Sequence, residues 1–179
     1  PNNLPGSVTT MIKKAPLGVV GGILAWNNPL VGQWFLVGGA LATGCTVVLK
    51  PGEVASLSVL NMVNLLHEAG VPPGVVNVVT GDGPGAASAL AGHPDVDRIV
   101  FTGSVGTGRK IVEASTSNMK RVQVELGGKS PDIVFADADM DLAVPAAAMA
   151  VFNNSGQICT AGTRLFVQRS IHDEFVQRL

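Results

Sequence analysis

With 179 residues, the chain is long enough for one full hydrophobic core and part of a second. Charged residues make up only 14% and the formal net charge is -1, which leaves no basic face to suit nucleic acid. Its two cysteines are far apart and follow no signal-like N-terminus, so a disulfide framework is not expected and a reducing compartment, the cytoplasm, is. The 22 glycines and the low charge point to a largely buried sheet with tight loops, or to a piece of something larger.

In chain order, residues 1–14 are rich in Pro, Asn and Gly, turn extended over 8–12, and read as an arm or edge strand. Residues 15–49 carry no charge, and a membrane span needs about 20 mostly apolar residues. However, Asn27, Asn28, Pro29, Gln33 and repeated glycines divide the run into a strand (17–24), a turn (26–29), a buried helix (30–43) and a second strand (45–49). A core α/β segment buried on both faces explains the same composition, and no membrane span is expected. The spacing predicts a helix over 56–69 with Leu57, Leu60, Val63, Leu66 and His67 on one side, closed by Gly70 and Pro72. Strands follow over 75–79, 98–101 and 122–125, separated by helices over 85–91 and 106–115. That alternation argues for a parallel α/β sheet. Beyond Gly127 and Gly128 come a strand (132–135), an alanine-rich helix (140–153), a strand (164–168) and the start of a helix at 171. A domain boundary is placed near Gly128. The second unit then has only about 50 residues, too few for a comfortable core of its own, which suggests an incomplete chain.

Several loops carry candidate chemistry. Residues 151–162, VFNNSGQICTAG, hold Cys159 among small and polar residues bracketed by Gly156 and Gly162. A cysteine that only fills core sits among apolar residues. This one lies on backbone able to bend sharply, beside hydrogen-bonding groups, as a presented nucleophile requires. A half-buried structural thiol beside a turn is the plainer alternative. Cys45, in the apolar run CTVVL, reads as core. Gly81, Gly83 and Ala86 fit the G-x-G-x-x-A dinucleotide spacing but lack the acidic residue expected about 20 positions on. Residues 101–108, FTGSVGTG, end a strand and open a helix. Backbone amides there, with the Ser104 and Thr107 hydroxyls, suit a pyrophosphate, and they equally suit an ordinary capped helix. Lys50 and Glu53 stand at the C-terminal edge of a strand, where they form either a pair of ribose-diol ligands or a surface salt pair. His67, His93 and His172 have no partner at metal-binding spacing, so no metal is expected. Glu125 ends an apolar strand before two glycines. It is expected to be partly desolvated and so a usable general base.

WNNP at 26–29, VVLKPGE at 47–53, FTGS at 101–104, ELGGKSP at 125–131 and GQICTAG at 156–162 occur together and in order. On these motifs the chain resembles the NAD(P)-dependent aldehyde dehydrogenase superfamily along essentially its whole length. The resemblance implies an internal segment of a longer chain: part of an oligomerisation arm (1–16), part of the NAD-binding domain (17–128) and the start of the catalytic domain (129–179). The implied fold class is α/β, a partial Rossmann-like parallel sheet with the start of a second α/β domain. The implied reaction is oxidation of a small-molecule aldehyde to a carboxylic acid with NAD, or NADP, in a homodimer or homotetramer. Cys159 matches the nucleophile that forms a thiohemiacetal and then a thioester. Glu125 matches the base that activates water. Asn27 matches the side-chain donor that stabilises the oxyanion together with the Cys159 N–H. On the cofactor side the resemblance implies Trp26, Lys50, Glu53, Gly83, Thr102, Gly103, Ser104, Thr107, Gly108 and Leu126, with Lys50 and Glu53 on the adenosine ribose.

Three positions depart from the family pattern. Asn28 stands where relatives often have an aromatic lining the substrate tunnel. Leu36 stands where relatives often have a lysine proposed to relay protons. Residues 104–108 are richer in glycine than the usual loop. A CoA-acylating relative typically lacks the base, and a non-catalytic relative would be expected to lose the cysteine or the glutamate. This chain keeps both.

Overall fold

The computed structural model describes residues 10–179. Of the expected arm, residues 1–9 lie outside the described residues, and 10–16 carry no regular secondary structure. The described residues form two compact units, residues 10–101 with 111–123, and residues 102–110 with 124–179.

The first unit is built on a parallel sheet. Its strands are β1 (Val19–Ile23), β2 (Thr46–Lys50), β3 (Val76–Val78), β4 (Arg98–Gly103) and β5 (Arg121–Leu126), in the order β3-β2-β1-β4-β5, the last residues of β4 (102–103) and β5 (124–126) being counted in the second unit. Both β4 and β5 run on past the expected ends. β1 pairs in parallel with β2 and with β4, so Ile23, Lys50 and Phe101 stand level at the C-terminal edge. The strand order reverses at β1, and in open α/β sheets ligands bind at the carboxyl ends of strands beside such a reversal.

Helix α1 (Pro29–Ala42) starts with proline in its first turn, where the missing N–H costs no hydrogen bond. It buries Gln33, Leu36, Val37 and Ala40 on the sheet, while Phe35 on the other side is 83% exposed, so the helix is buried on one face rather than all round. A Cβ at Gly22 would lie 2.6 Å from Leu36 Cδ1 and 2.9 Å from Leu49 Cδ2, so glycine in β1 is what lets α1 settle on the sheet. Leu36 is therefore a core residue, packed with Val20, Val37, Val47 and Leu49. Burial of a side chain this size contributes roughly 1.5–3 kcal/mol. Among the described residues, Gln33 is fully buried with both side-chain polar atoms unpartnered, and nothing in the structure explains it.

Helix α2 (Leu57–Glu68) keeps the expected face at Val63 and at Leu66, which packs against the core, and departs from it at Leu57. It buries Val59, Met62 and Val63, and Leu57 is 80% exposed. The first turn of a helix can leave the packed stripe because the incoming chain, here from Pro51 and Gly52, sets its entry angle. A π-helical turn (Gly83–Ala87) leads into α3 (Ser88–Gly92). After α4 (Val105–Ser115) the connection to β5 is pinned from inside. Lys120 is buried and its Nζ donates to the carbonyls of Ala91 and His93, at 2.7 Å each. Asn118 Nδ2 donates to the carbonyls of Pro94 and Val96. Burial lowers the Lys120 pKa from its ordinary value.

The second unit contains β6 (Pro131–Val134) paired in parallel with β7 (Arg164–Val167), together with α5 (Met140–Phe152) and α6 (His172–Arg178). Asp139 caps α5, its carboxylate accepting from the Asp141 N–H at 2.9 Å. Val134, Val144, Ala147 and Phe175 form the core between sheet and helices. The side chains of Ile133, Phe135 and Phe166 are exposed. Among the described residues, no helix is long and apolar enough to cross a membrane.

Candidate active site

The cofactor-side candidates of the first unit gather at the C-terminal edge of its sheet. Lys50, the last residue of β2, is only 4% exposed, and it forms the salt pair with Glu53 with its own end buried. Its Nζ lies 3.5 Å from Glu53 Oε1, and the Glu53 side chain is 59% exposed. A buried ammonium beside a carboxylate open to solvent leaves oxygen and nitrogen groups for a ligand hydroxyl to bridge. Glu53 opens onto a cleft that it lines together with Pro51, Gly52, Ser56, Thr80 and Gly81, with Lys50 buried behind it. Gly52 is required by close approach, since a Cβ there would lie 2.9 Å from both the N and the Cα of Trp26. Sequence reasoning missed Pro51, Ser56 and Thr80. Parallel pairing of β2 with β3 brings them together, and only Ser56, at the head of α2, carries a local signal. Trp26 and Asn27 follow β1 in the turn before α1, Trp26 exposed and Asn27 half-buried. Gly83 is not among the lining residues. It opens the π-helical turn, whose Gly85 N–H is taken by Asp82 Oδ1 at 2.7 Å. A carboxylate already at that amide opposes a phosphate, which explains why the glycine spacing there is not by itself a phosphate cradle.

In the second unit, Ser104 precedes α4 and caps it. Ser104 Oγ accepts from the Thr107 N–H at 3.2 Å and donates to Thr107 Oγ1 at 3.0 Å. Gly108 is buried, its N–H bonding the Ser104 carbonyl at 2.8 Å, and Thr102 and Gly103 are half-buried. Glu125 and Leu126 close β5. The Glu125 side chain is exposed, which corrects the expected desolvation. Alternate residues of β5 face outward, and Glu125 shares its side with exposed Arg121 and Gln123.

Cys159 is a free, exposed thiol. The turn that presents it is tightly made. Asn154 and Ser155 hold left-handed backbone at φ 50° and 57°, followed by Gly156 at 73°. Non-glycine residues in that region store strain that the surroundings must hold in place. Beyond the thiol, the Gly162 N–H bonds the Ala150 carbonyl at 3.0 Å and Ala161 is buried, tying the turn back to the end of α5. Cys45, by contrast, is buried. The Leu17 N–H reaches its sulfur at 3.3 Å, and a hydrogen bond with the Thr43 hydroxyl is the main influence lowering its pKa. Among the described residues, no group of His, Cys, Asp and Glu could hold a metal ion.

The chain matches the family model described as "Aldehyde dehydrogenase family" over residues 2–179. It is 53% identical over 174 residues to aldehyde dehydrogenase, cytosolic 1, of Mus musculus, covering 97% of this chain and 35% of the relative. It is 53% identical over 176 residues to the mitochondrial aldehyde dehydrogenase of Homo sapiens, covering 98% and 34%. Among solved structures, the NAD+ complex of an aldehyde dehydrogenase from Bacillus cereus superposes with a TM-score of 0.90 at 48% identity, over 92% of this chain and 34% of that one. Betaine aldehyde dehydrogenase from Staphylococcus aureus, in complex with NAD+, gives a TM-score of 0.88 at 41% identity, over 92% and 32%. The chain spans about a third of the length of the curated relatives it matches.

Proposed function

The chain belongs to the aldehyde dehydrogenase family, and on that premise we propose that a polypeptide carrying it oxidises an aldehyde to a carboxylic acid with NAD. The Cys159 thiolate attacks the aldehyde carbon, giving a thiohemiacetal whose oxyanion is met by the Asn27 amide and the Cys159 N–H. NAD, when bound, accepts the hydride. The thioester left on Cys159 is hydrolysed by a water whose proton goes to Glu125, which frees the carboxylate and regenerates the thiolate. The observation that carries this reading is the exposed thiol of Cys159 on a strained, tied-back turn, in a chain matched by the family along its length.

Lys50 and Glu53 fit the hydroxyls of the adenosine ribose, with Thr102, Gly103, Ser104, Thr107 and Gly108 on the pyrophosphate side and Trp26, Gly83 and Leu126 completing the cofactor contacts. The support is a buried Lys50 ammonium beside an exposed Glu53 carboxylate at an open cleft. We assign 1–16 to the oligomerisation arm, 17–128 to part of the NAD-binding domain and 129–179 to the start of the catalytic domain. The assembly is a homodimer or homotetramer in the cytoplasm, a reducing compartment that suits the free thiols of Cys45 and Cys159.

The test is an aldehyde panel with NAD and with NADP, run on the full-length polypeptide. Aldehyde-dependent reduction of NAD in preference to NADP is expected, because the Glu53 carboxylate accepts from ribose hydroxyls and repels a 2′-phosphate. No reduction with any aldehyde overturns the reading.

A further inference from the structure

Resting on that reading, we propose that Gly128 is a positioning residue for the nucleophile. The loop after Glu125 clasps the backbone of Cys159 at a point where only glycine fits. An ideal Cβ at Gly128 would lie 2.5 Å from the carbonyl oxygen of Cys159. Side-chain carbons and carbonyl oxygens do not approach so closely, so any larger residue must part the two backbones by about half an ångström or more. Gly128 does not have left-handed backbone, so its lack of a side chain answers to this contact and not to φ. The neighbouring Gly127 has nothing within 4 Å of its own Cβ direction and no positive φ.

The clasp has a second tie. Arg164, at the start of β7, donates from Nε to the Lys129 carbonyl at 2.8 Å, and its N–H bonds the Ser130 carbonyl at 3.3 Å. The loop thus lies close against the Cys159 carbonyl on one side and is hydrogen-bonded on the other to the strand that follows the cysteine turn. The nucleophile's backbone, including the N–H offered to the oxyanion, is set by the segment that leaves the base. Catalytic groups displaced by as much as an ångström lose up to about a hundredfold in rate.

The test uses the full-length polypeptide with Gly128→Ala, Gly127→Ala and Arg164→Gln. Gly128→Ala is expected to lower kcat by about tenfold to a hundredfold and slow the single-turnover burst of reduced cofactor, with KM for NAD within about twofold of wild type. Gly127→Ala is expected to match wild type. Alkylation of Cys159 by iodoacetamide, which needs no aldehyde turnover, is expected to change in rate by about threefold or more in Gly128→Ala against Gly127→Ala. A wild-type protein that oxidises no aldehyde defeats the functional reading, and the alkylation arm then still decides the clasp. Wild-type kcat and alkylation in folded Gly128→Ala overturn the proposal, as does an equal loss in both alanine variants, which would mark a general need for loop flexibility. If Gly128→Ala fails to fold, Arg164→Gln decides. This change at an exposed side chain supports the clasp if kcat falls with KM for NAD unchanged, and overturns it if kcat is wild type.

Discussion

At the scale of single residues, the two cysteines divide cleanly by environment. Cys159 is exposed on a turn that the chain holds in left-handed backbone, whereas Cys45 is buried, accepting from the Leu17 N–H and sharing a hydrogen bond with the Thr43 hydroxyl. Cys159→Ala in the full-length polypeptide is expected to abolish aldehyde oxidation, because it removes the atom that forms the covalent intermediate. Cys45→Ala is expected to keep the activity and lose about 1–2 kcal/mol of stability through lost contacts and hydrogen bonds. Steady-state rates and melting curves read both, and comparable activity losses would contradict the assignment. Glu125→Gln is expected to retain the burst of reduced cofactor and turn over slowly afterwards, since an amide cannot take the proton from water. A vanished burst with Cys159 still reactive to iodoacetamide would place Glu125 in an earlier step.

At the scale of elements, glycines and one lysine set the packing of the first unit. Gly22 lets Leu36 of α1 reach the sheet, so the position expected to bear on proton relay is occupied here by a core contact. Lys120 fastens the α4–β5 connection to α3 and the turn after it. Lys120→Met removes both bonds and leaves the Ala91 and His93 carbonyls without that donor, so a loss of roughly 1–3 kcal/mol is expected in denaturant unfolding. An unchanged midpoint would show that water satisfies those carbonyls instead. The periodic pattern located α2 and the packed side of Val63 and Leu66, but not the exposure of Leu57. A short helix offers several apolar stripes, and only the partner sheet decides that Val59 is buried and Leu57 is not.

At the scale of the whole molecule, several element faces carry exposed apolar side chains: Trp34 and Phe35 on α1, Ile133 and Phe166 on the two-stranded sheet, Met149 and Phe152 on α5. A pair of strands with an uncovered face is marginal by itself, and unpaired strand edges invite association. The 179 residues expressed alone are therefore expected to associate and to give no sustained turnover. Circular dichroism, light scattering and an assay with aldehyde and NAD test this, and a monomer with Cys159-dependent turnover would contradict it.

The sequence by itself determined the alternation of strands and helices, the parallel sheet, the core role of Cys45 and the family. Those follow from hydrophobic period, glycine and proline punctuation, and ordered motifs, all of which are local. The tertiary structure decided what depends on contact between distant residues. Burial of Lys50 beside exposed Glu53 comes from strand pairing, exposure of Glu125 from the facing of β5, and the demand for glycine at position 128 from a carbonyl that lies far along the chain at Cys159. No local pattern encodes a backbone-to-backbone approach, because the atom that forbids a side chain is brought there only by the packed fold.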